Sequence, residues 1–277
     1  GDFKPYLIVS KDSGKSWKSI SSNIPENNFV WSIVEDHINP DLLFIGTEFG
    51  MYFSMDAGAS WNKFKKVPTI PIRDLEIHKE EDDLVAASFG RGFYIVDDYS
   101  PIREYSKSID EKNAHLFSVK STYQYVVAAP EKTATGHNFF TSPNPPYGVK
   151  LSYYLGKSIL SRYEERQNDE SSKFSRGEII DYPTAEKLEA ESKEKSPKVF
   201  LTITDDEGRV VRRVTTKKNK GYHEIYWDLR TFSMTNIDNE NNYSGPLVPP
   251  GEYSVHIEKF ENNDCLLYTS PSPRDRS

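Results

Sequence analysis

The chain has 277 residues, enough for two domains, and a net charge of −7, which argues against a nucleic-acid partner. No apolar run approaches the roughly 18–20 residues that a membrane-spanning helix needs. The 13% aromatic content, with 17 Tyr and 15 Phe, favours an all-β fold with many half-buried strands. The single cysteine, Cys265, excludes an internal disulfide and a cysteine zinc cluster.

One short pattern, Ser-x-Asp-x-Gly-x-x-Trp, occurs twice, in residues 10–17 and 54–61, with its aspartates 44 positions apart. An Asp carboxylate accepts hydrogen bonds from the following backbone N–H groups, and Gly adopts positive φ without steric cost. Each copy therefore predicts the turn of a β-hairpin, and we expect both tryptophans to bury their rings. The residues given this structural role are Ser10, Asp12, Gly14, Trp17, Ser54, Asp56, Gly58 and Trp61.

The region around the second copy predicts four antiparallel strands, which is the content of one propeller blade. These strands are 29–35, 42–46, 50–54 and 61–64. A third copy, over 72–77, 84–87 and 92–96, lacks the Gly and the Trp of the pattern. Residues 1–100 thus predict the last blades of a β-propeller, and because a closed propeller has at least about four blades, we expect the others upstream of Gly1.

The remainder predicts a connecting segment, 101–146, and a second β domain, 147–262. Short alternating strands separated by turns favour an immunoglobulin-like sandwich in that domain. Residues 157–197 are dense in Glu, Lys and Ser and predict a charged, partly helical insertion, with a helix from Thr184 to Lys195. Overall the sequence predicts an all-β chain, a partial propeller followed by a sandwich.

The last segment, 265–277, departs from the strand pattern before it. It resembles a translated adapter sequence, so we expect it to be non-native and leave it out of the fold prediction.

The repeated pattern resembles the Asp-box, or BNR, repeat of sialidases, sortilins and xyloglucanase-like propellers. The order of later motifs resembles the C-terminal part of large secreted bacterial BNR-propeller proteins labelled sortilin-like or glycosyl hydrolase, whose last domain is similar to the Ig-like domain of flagellar hook-cap proteins. These motifs are Ser88–Asp98, Pro145–Gly148, Tyr226–Arg230 and Gly245–Tyr253. The resemblance covers residues 1 to about 260 and implies an extracellular or cell-envelope location. It leaves activity open, because a fold does not define a function.

Candidate ligand-binding residues lie in the propeller half. Trp31 and Arg73 fall on predicted inner strands, where a ring can stack on a sugar and a cation can bind a ligand, and Glu48 follows a strand end. Glycoside hydrolysis needs two carboxyl groups about 5–10 Å apart, but no spacing selects such a pair, so no catalytic residue is assigned. The six histidines lack metal-site spacing, and we expect neither a metal nor a cofactor.

Three functions remain open from the sequence. The first is a scaffold that binds a glycan or an extracellular protein. The second is the end of a xyloglucanase-like glycoside hydrolase whose catalytic acids lie mostly in upstream blades. The third is a sortilin-like receptor for peptides.

Overall fold

A computed structural model describes residues 1–125, 144–232, 245–261 and 264–267. The chain divides into two compact units, Gly1–Tyr105 and Ser106–Ser277. In the described part, antiparallel sheets predominate and helices are few, which confirms the all-β prediction at the level of fold class. No helix in this part combines the length and the apolarity needed to cross a bilayer.

The first unit contains three antiparallel sheets and one short helix. A two-stranded ladder is followed by a four-stranded sheet, here the middle sheet, and by a three-stranded sheet, here the third sheet. Their elements are β1 (Ile8–Val9) and β2 (Lys18–Ser19); β3 (Val30–Glu35), β4 (Leu43–Thr47), β5 (Gly50–Ser54) and β6 (Asn62–Lys63); β7 (Ile72–His78), β8 (Asp83–Ser88) and β9 (Phe93–Val96); and α1 (Ser100–Glu104).

The middle sheet is covered on both faces, and this explains why all five residues of β4 are buried. Leu43 and Ile45 share one core with Leu7, Ile20 and Ile24 of the preceding segment. The other face, which includes Phe44, shares a second core with the third sheet. A strand buried on both faces reads as a continuous apolar run rather than as an alternating one.

The two Asp-x-Gly turns have the same hydrogen-bond network. In the second copy, Ser54 Oγ donates to Asp56 Oδ1 at 2.7 Å and accepts from the Gly58 amide at 2.8 Å, while the Ser60 amide donates to Asp56 Oδ1 at 2.8 Å. The first copy repeats these three bonds at 2.8, 2.7 and 2.8 Å. Gly14 and Gly58 have φ of 86° and 84°, as the turn requires.

The two tryptophans differ in burial. Trp61 is 4% exposed, and its indole N–H donates to the Ile20 carbonyl at 2.6 Å. The Asn23 side chain accepts from the backbone amide of Trp61 and donates to the backbone carbonyl of Trp61. Trp17 is 60% exposed, so the expectation that it buries its ring is wrong. The reason is the partner: segment 20–24 covers Trp61, and no described residue takes the corresponding place over Trp17.

The second unit places two antiparallel sheets around one shared core, to which β11 and β12 contribute six buried residues. One sheet has the order β10-β11-β14, and the other β13-β12-β15-β16. The strands are β10 (Ala114–Leu116), β11 (Val149–Leu155), β12 (Lys198–Thr204), β13 (Val210–Thr216), β14 (Gly221–Trp227), β15 (Ser254–Glu261) and β16 (Asp264–Leu267). Helix α2 (Lys107–Asp110) precedes β10, so segment 101–146, expected to be a connection, supplies an edge strand.

The charged insertion contains two helices, α3 (Arg162–Ser175) and α4 (Ala185–Lys193). Helix α4 lies within the predicted span and begins after Thr184, whose hydroxyl accepts from the Lys187 amide. Helix α3 was not predicted, although Ser161 and Glu164 form a capping box that is readable in the sequence. Arg166 joins the helices through Glu191 at 2.7 Å.

Part of the suspected non-native tail is ordered as strand. Residues 265–267 belong to β16, which pairs with β15 from Glu258↔Leu267 to Glu261↔Asp264. Residues 268–277 lie outside the described part of the chain.

We predict that Asp56→Ala lowers the free energy of unfolding by about 1–2 kcal/mol, because three donors of one turn lose their acceptor. Chemical denaturation at pH 7 measures the change. Asp12→Ala is the matched control: its turn has the same bonds but is not packed under a neighbouring segment, so we expect a smaller loss. An unchanged midpoint for Asp56→Ala would contradict the structural role of the turn.

Candidate ligand-binding surface

Two β-bulges stand at equivalent places in successive sheets. In β3, Val30 pairs with Thr47 and Ser32 with Gly46, so Trp31 is the extra residue between them. In β7, Ile72 pairs with Ser88 and Asp74 with Ala87, and the extra residue is Arg73, 42 positions after Trp31. A bulge changes the direction of its side chain, and such features are common beside binding sites.

The bulges bring Trp31 and Arg73 into contact, because β7 packs against β3. The central carbon of the Arg73 guanidinium lies 3.5 Å from the centroid of the Trp31 ring and 4.9 Å from that of Phe89. A guanidinium within about 6 Å of an aromatic centroid is attracted by the ring. Arg73 is therefore held between residues from both sheets.

Glu48 completes the group. It follows β4 in the turn before β5, and one of its carboxylate oxygens accepts the Trp31 indole N–H at 2.9 Å. Its own amide donates to the Phe29 carbonyl at 3.1 Å. Phe89 follows β8 at the place where Glu48 follows β4, so each sheet supplies one bulge residue and one strand-end residue.

The guanidinium of Arg73 has no protein acceptor in the described part of the chain. Its Nε is buried and lacks a hydrogen-bond partner, and Arg73 forms no ion pair with a described carboxylate. Most buried polar atoms are satisfied, so an orphan of this kind calls for an explanation. The side chain as a whole is partly exposed, which leaves its outer part accessible to a ligand.

Further aromatic rings surround this group and remain open to solvent. Phe89 is 66% exposed and Trp31 40% exposed. The Phe29 ring contacts the Trp31 ring at a centroid distance of 4.7 Å, and Phe3 contacts Phe29 at 6.0 Å. Together, Phe3, Phe29, Trp31, Glu48, Arg73 and Phe89 form what we call the aromatic–arginine surface.

The surface depends on a close approach between the middle and third sheets. A Cβ added at Gly46 would lie 2.6 Å from the Ile72 carbonyl oxygen and 2.7 Å from Ser32 Oγ. Both neighbours adjoin the bulge residues. Only glycine at this position lets β7 pack on β4 closely enough to place Arg73 against Trp31.

A second cluster lies at the other ends of the same strands. Arg103 of α1 donates to Asp36 Oδ2 at 2.8 Å and Oδ1 at 2.7 Å, and to Asp82 at 2.6 Å. The hydroxyl of Tyr99 donates to Asp36 at 2.6 Å, and His37 lies within 3.6 Å of Asp36 and 3.5 Å of Asp82.

Asp36, His37 and Asp82 have the spacing of a metal-binding group, but Arg103 already contacts both carboxylates. Burial by itself would raise the pKa of Asp36, yet the bonds from Arg103, Tyr99 and the Asn39 amide outweigh it and hold that pKa well below its usual range. The arrangement is an ion cluster in which one guanidinium bridges two carboxylates and fastens α1 to both sheets.

The structure thus brings together the three residues proposed from the sequence as ligand-binding, Trp31, Arg73 and Glu48. Sequence reasoning missed Phe89, which lies 41 positions after Glu48 and could have been found by aligning the third copy on the second. The eight residues of the two boxes belong to their own turns and take no part in the hydrogen bonds of this surface.

No protein-family model matches the chain, and no curated protein matches it. Among solved structures, PorZ, an essential bacterial surface component of the type-IX secretion system of Porphyromonas gingivalis, is similar at 14% identity and a TM-score of 0.26 over 95% of this chain. The extracellular domain of BT4673 from B. thetaiotaomicron, described as a one-component system, is similar at 16% identity and a TM-score of 0.27 over 99%. The chain spans 24% and 30% of those two chains.

We predict that Gly46→Ala lowers the free energy of unfolding by about 1–3 kcal/mol, since the new methyl group meets backbone that cannot move aside. Denaturant unfolding measures the loss, and tryptophan fluorescence reports the change around Trp31. Gly251→Ala is the control, because its nearest atom would be 3.9 Å away. Equal midpoints for both variants would contradict the close approach.

We predict that Arg103→Met destabilises the protein by about 3–5 kcal/mol at pH 7, because it leaves two carboxylates without their cation. The depressed pKa of Asp36 contributes stability above the ordinary carboxyl pKa of about 4, and this contribution is lost as the pH falls below that value. The deficit of the variant should therefore shrink between about pH 4 and pH 2.

Unfolding measured at several pH values provides the test, with the exposed Arg91→Met as control. The same deficit at pH 7 and at pH 3 would mean that the cluster is not held by charge.

Proposed function

We propose that this chain is the binding part of an extracellular or cell-envelope protein, and that its aromatic–arginine surface binds a glycan. In this proposal the first unit supplies the last blades of a BNR-type β-propeller, and the second supplies an Ig-like accessory domain. The location is inferred from the resemblance to secreted BNR proteins.

The propeller assignment is supported by repetition in three features. Both Asp-x-Gly turns share one hydrogen-bond network, and the sheets stack face on face through separate cores. The bulges recur after 42 residues. Stacked, twisted antiparallel sheets with this period are typical of propeller blades.

The glycan assignment rests on one observation, the contact of Trp31 with Arg73 and Glu48 at a solvent-exposed edge. Aromatic rings offer an apolar face for the C–H groups of a sugar ring, while the adjacent guanidinium and carboxylate can bond its hydroxyl groups. Because Glu48 fixes the indole and Arg73 covers part of it, little side-chain entropy is lost when a ligand binds.

The two alternative functions differ from glycan binding in the fate or the class of the ligand. In a xyloglucanase-like hydrolase the glycan would be cleaved, and in a sortilin-like receptor the surface would prefer a peptide. Glu48 already accepts the indole N–H, an arrangement that suits an orienting residue better than a general acid.

We predict saturable binding of the chain to at least one member of a panel of xylan, xyloglucan and β-glucan oligosaccharides, measured by isothermal titration calorimetry. Trp31→Ala should weaken that binding about tenfold or more, since it removes a central ring of the surface. Trp17→Ala is the control: Trp17 is exposed but lies outside the surface, and its loss should leave the affinity unchanged.

Reducing ends are assayed in the same samples. Their release would contradict a purely binding role, and absence of binding across the panel would overturn the glycan proposal.

A further inference from the structure

We propose that Arg73 is an anion subsite within the aromatic–arginine surface, and that the preferred glycan carries a carboxylate, as a uronic acid does. This inference rests on the proposed glycan-binding function and narrows it to one chemical class.

The Arg73 guanidinium lacks a partner of opposite charge among the described residues of the fold. Arginine is always charged and offers five N–H donors in a plane that matches a carboxylate. In the described part of the chain, Arg73 has neither a hydrogen-bond acceptor nor a counter-ion, and its Nε is buried. The outer guanidinium nitrogens are not among the buried unsatisfied atoms, so they stay accessible, and a carboxylate ligand would bind them through charge-assisted hydrogen bonds.

Arg73 differs in this respect from Arg103. Both arginines lie beside an aromatic ring. The distance from the guanidinium carbon to the ring centroid is 5.3 Å for Arg103 and Tyr99 and 3.5 Å for Arg73 and Trp31. Arg103, however, contacts two protein carboxylates, and this satisfies it within the fold. The fold thus pairs the arginine at one end of the sheets with two acids and leaves the arginine at the other end without an ion pair among the described residues.

Glu48 is the carboxylate of this surface that could serve as a counter-ion. It bonds the Trp31 indole and forms no ion pair with Arg73. It therefore orients the ring next to the guanidinium and lies beyond ion-pair distance of it. A sugar ring on the exposed aromatic area could place an attached carboxylate at Arg73 in the same binding event.

The net charge of the chain limits the size of the ligand. At −7, the protein repels a long polyanion, while a single carboxylate feels mainly the local cation. The inference is accordingly for an oligosaccharide with isolated uronate groups rather than for a highly sulfated or fully charged polymer.

Three matched probes test the subsite: a xylo-oligosaccharide with one glucuronate branch, its methyl ester, and the same oligosaccharide without the branch. Calorimetry on the native chain should give the tightest binding for the free acid. Arg73→Gln should weaken binding of the acid about 10- to 100-fold more than it weakens binding of the ester or of the unbranched sugar, which lose only bonds to hydroxyl groups. Arg91→Gln removes the same charge from the neighbouring β8–β9 hairpin and should have little effect.

Arg73→Lys keeps the charge but not the planar fork, so it should recover only part of the affinity. Circular dichroism and melting of each variant establish that it is folded. A short acidic peptide serves as a further probe.

The outcomes separate the two proposals. Equal affinity for acid, ester and unbranched sugar, with loss only in Trp31→Ala, would overturn the anion subsite and keep the glycan surface. Binding of none of the three sugars, or of the acidic peptide in their place, would overturn the glycan proposal together with the subsite.

Discussion

The close approach of β7 to β4 at Gly46 is the constraint on which the rest of the first unit depends. With no side chain at this position, the Ile72 carbonyl can lie where a Cβ would stand. The third sheet then covers Phe44 and the middle sheet covers Ile72, both of which are fully buried. The same close approach brings the two bulge residues together, so that the Arg73 guanidinium lies over the Trp31 ring.

The strands that carry the bulges differ in ion pairing at their two ends. At one end, Arg103 forms ion pairs with both Asp36 and Asp82, and that end anchors α1. At the other end, Arg73 lies between two aromatic rings and forms no ion pair with a described residue. Paired charges in a fold contribute mainly to structure, whereas an unpaired one in an exposed aromatic setting is available for recognition.

The period of the sequence predicted much of this architecture. The box pattern specified two hairpin turns, and their hydrogen bonds are those expected of Asp and Gly in a tight turn. The three residues proposed as ligand-binding proved to be neighbours, because equivalent positions of stacked repeats lie side by side. What the pattern could not specify is burial: Trp17 and Trp61 match in sequence and differ in exposure, because the partner segment lies far away in the chain.

Other features depended on contacts that no local pattern encodes. In the ion cluster, Asp36 bonds Tyr99 and Arg103, which lie 63 and 67 positions further along the chain, so local spacing could not reveal the cluster. The bulges arise from a register shift between strands and leave no mark in composition. Strand β10 is only three residues long and is recognisable by its pairing with β11. By contrast, the capping box at the start of α3 indicates a helix from local sequence alone, although the charged composition of the segment masks it.

The central claim is that the bulges create a ligand surface. Its most direct test is a titration with the glucuronate-branched xylo-oligosaccharide, in which nuclear magnetic resonance follows the four tryptophan indole N–H groups. Trp31→Phe assigns the relevant signal. The account predicts that the Trp31 indole and the Arg73 Nε–H shift together and saturate at one affinity, while Trp17, Trp61 and Trp227 stay unchanged. Shifts confined to Trp17 or Trp227, with Trp31 unmoved, would contradict it.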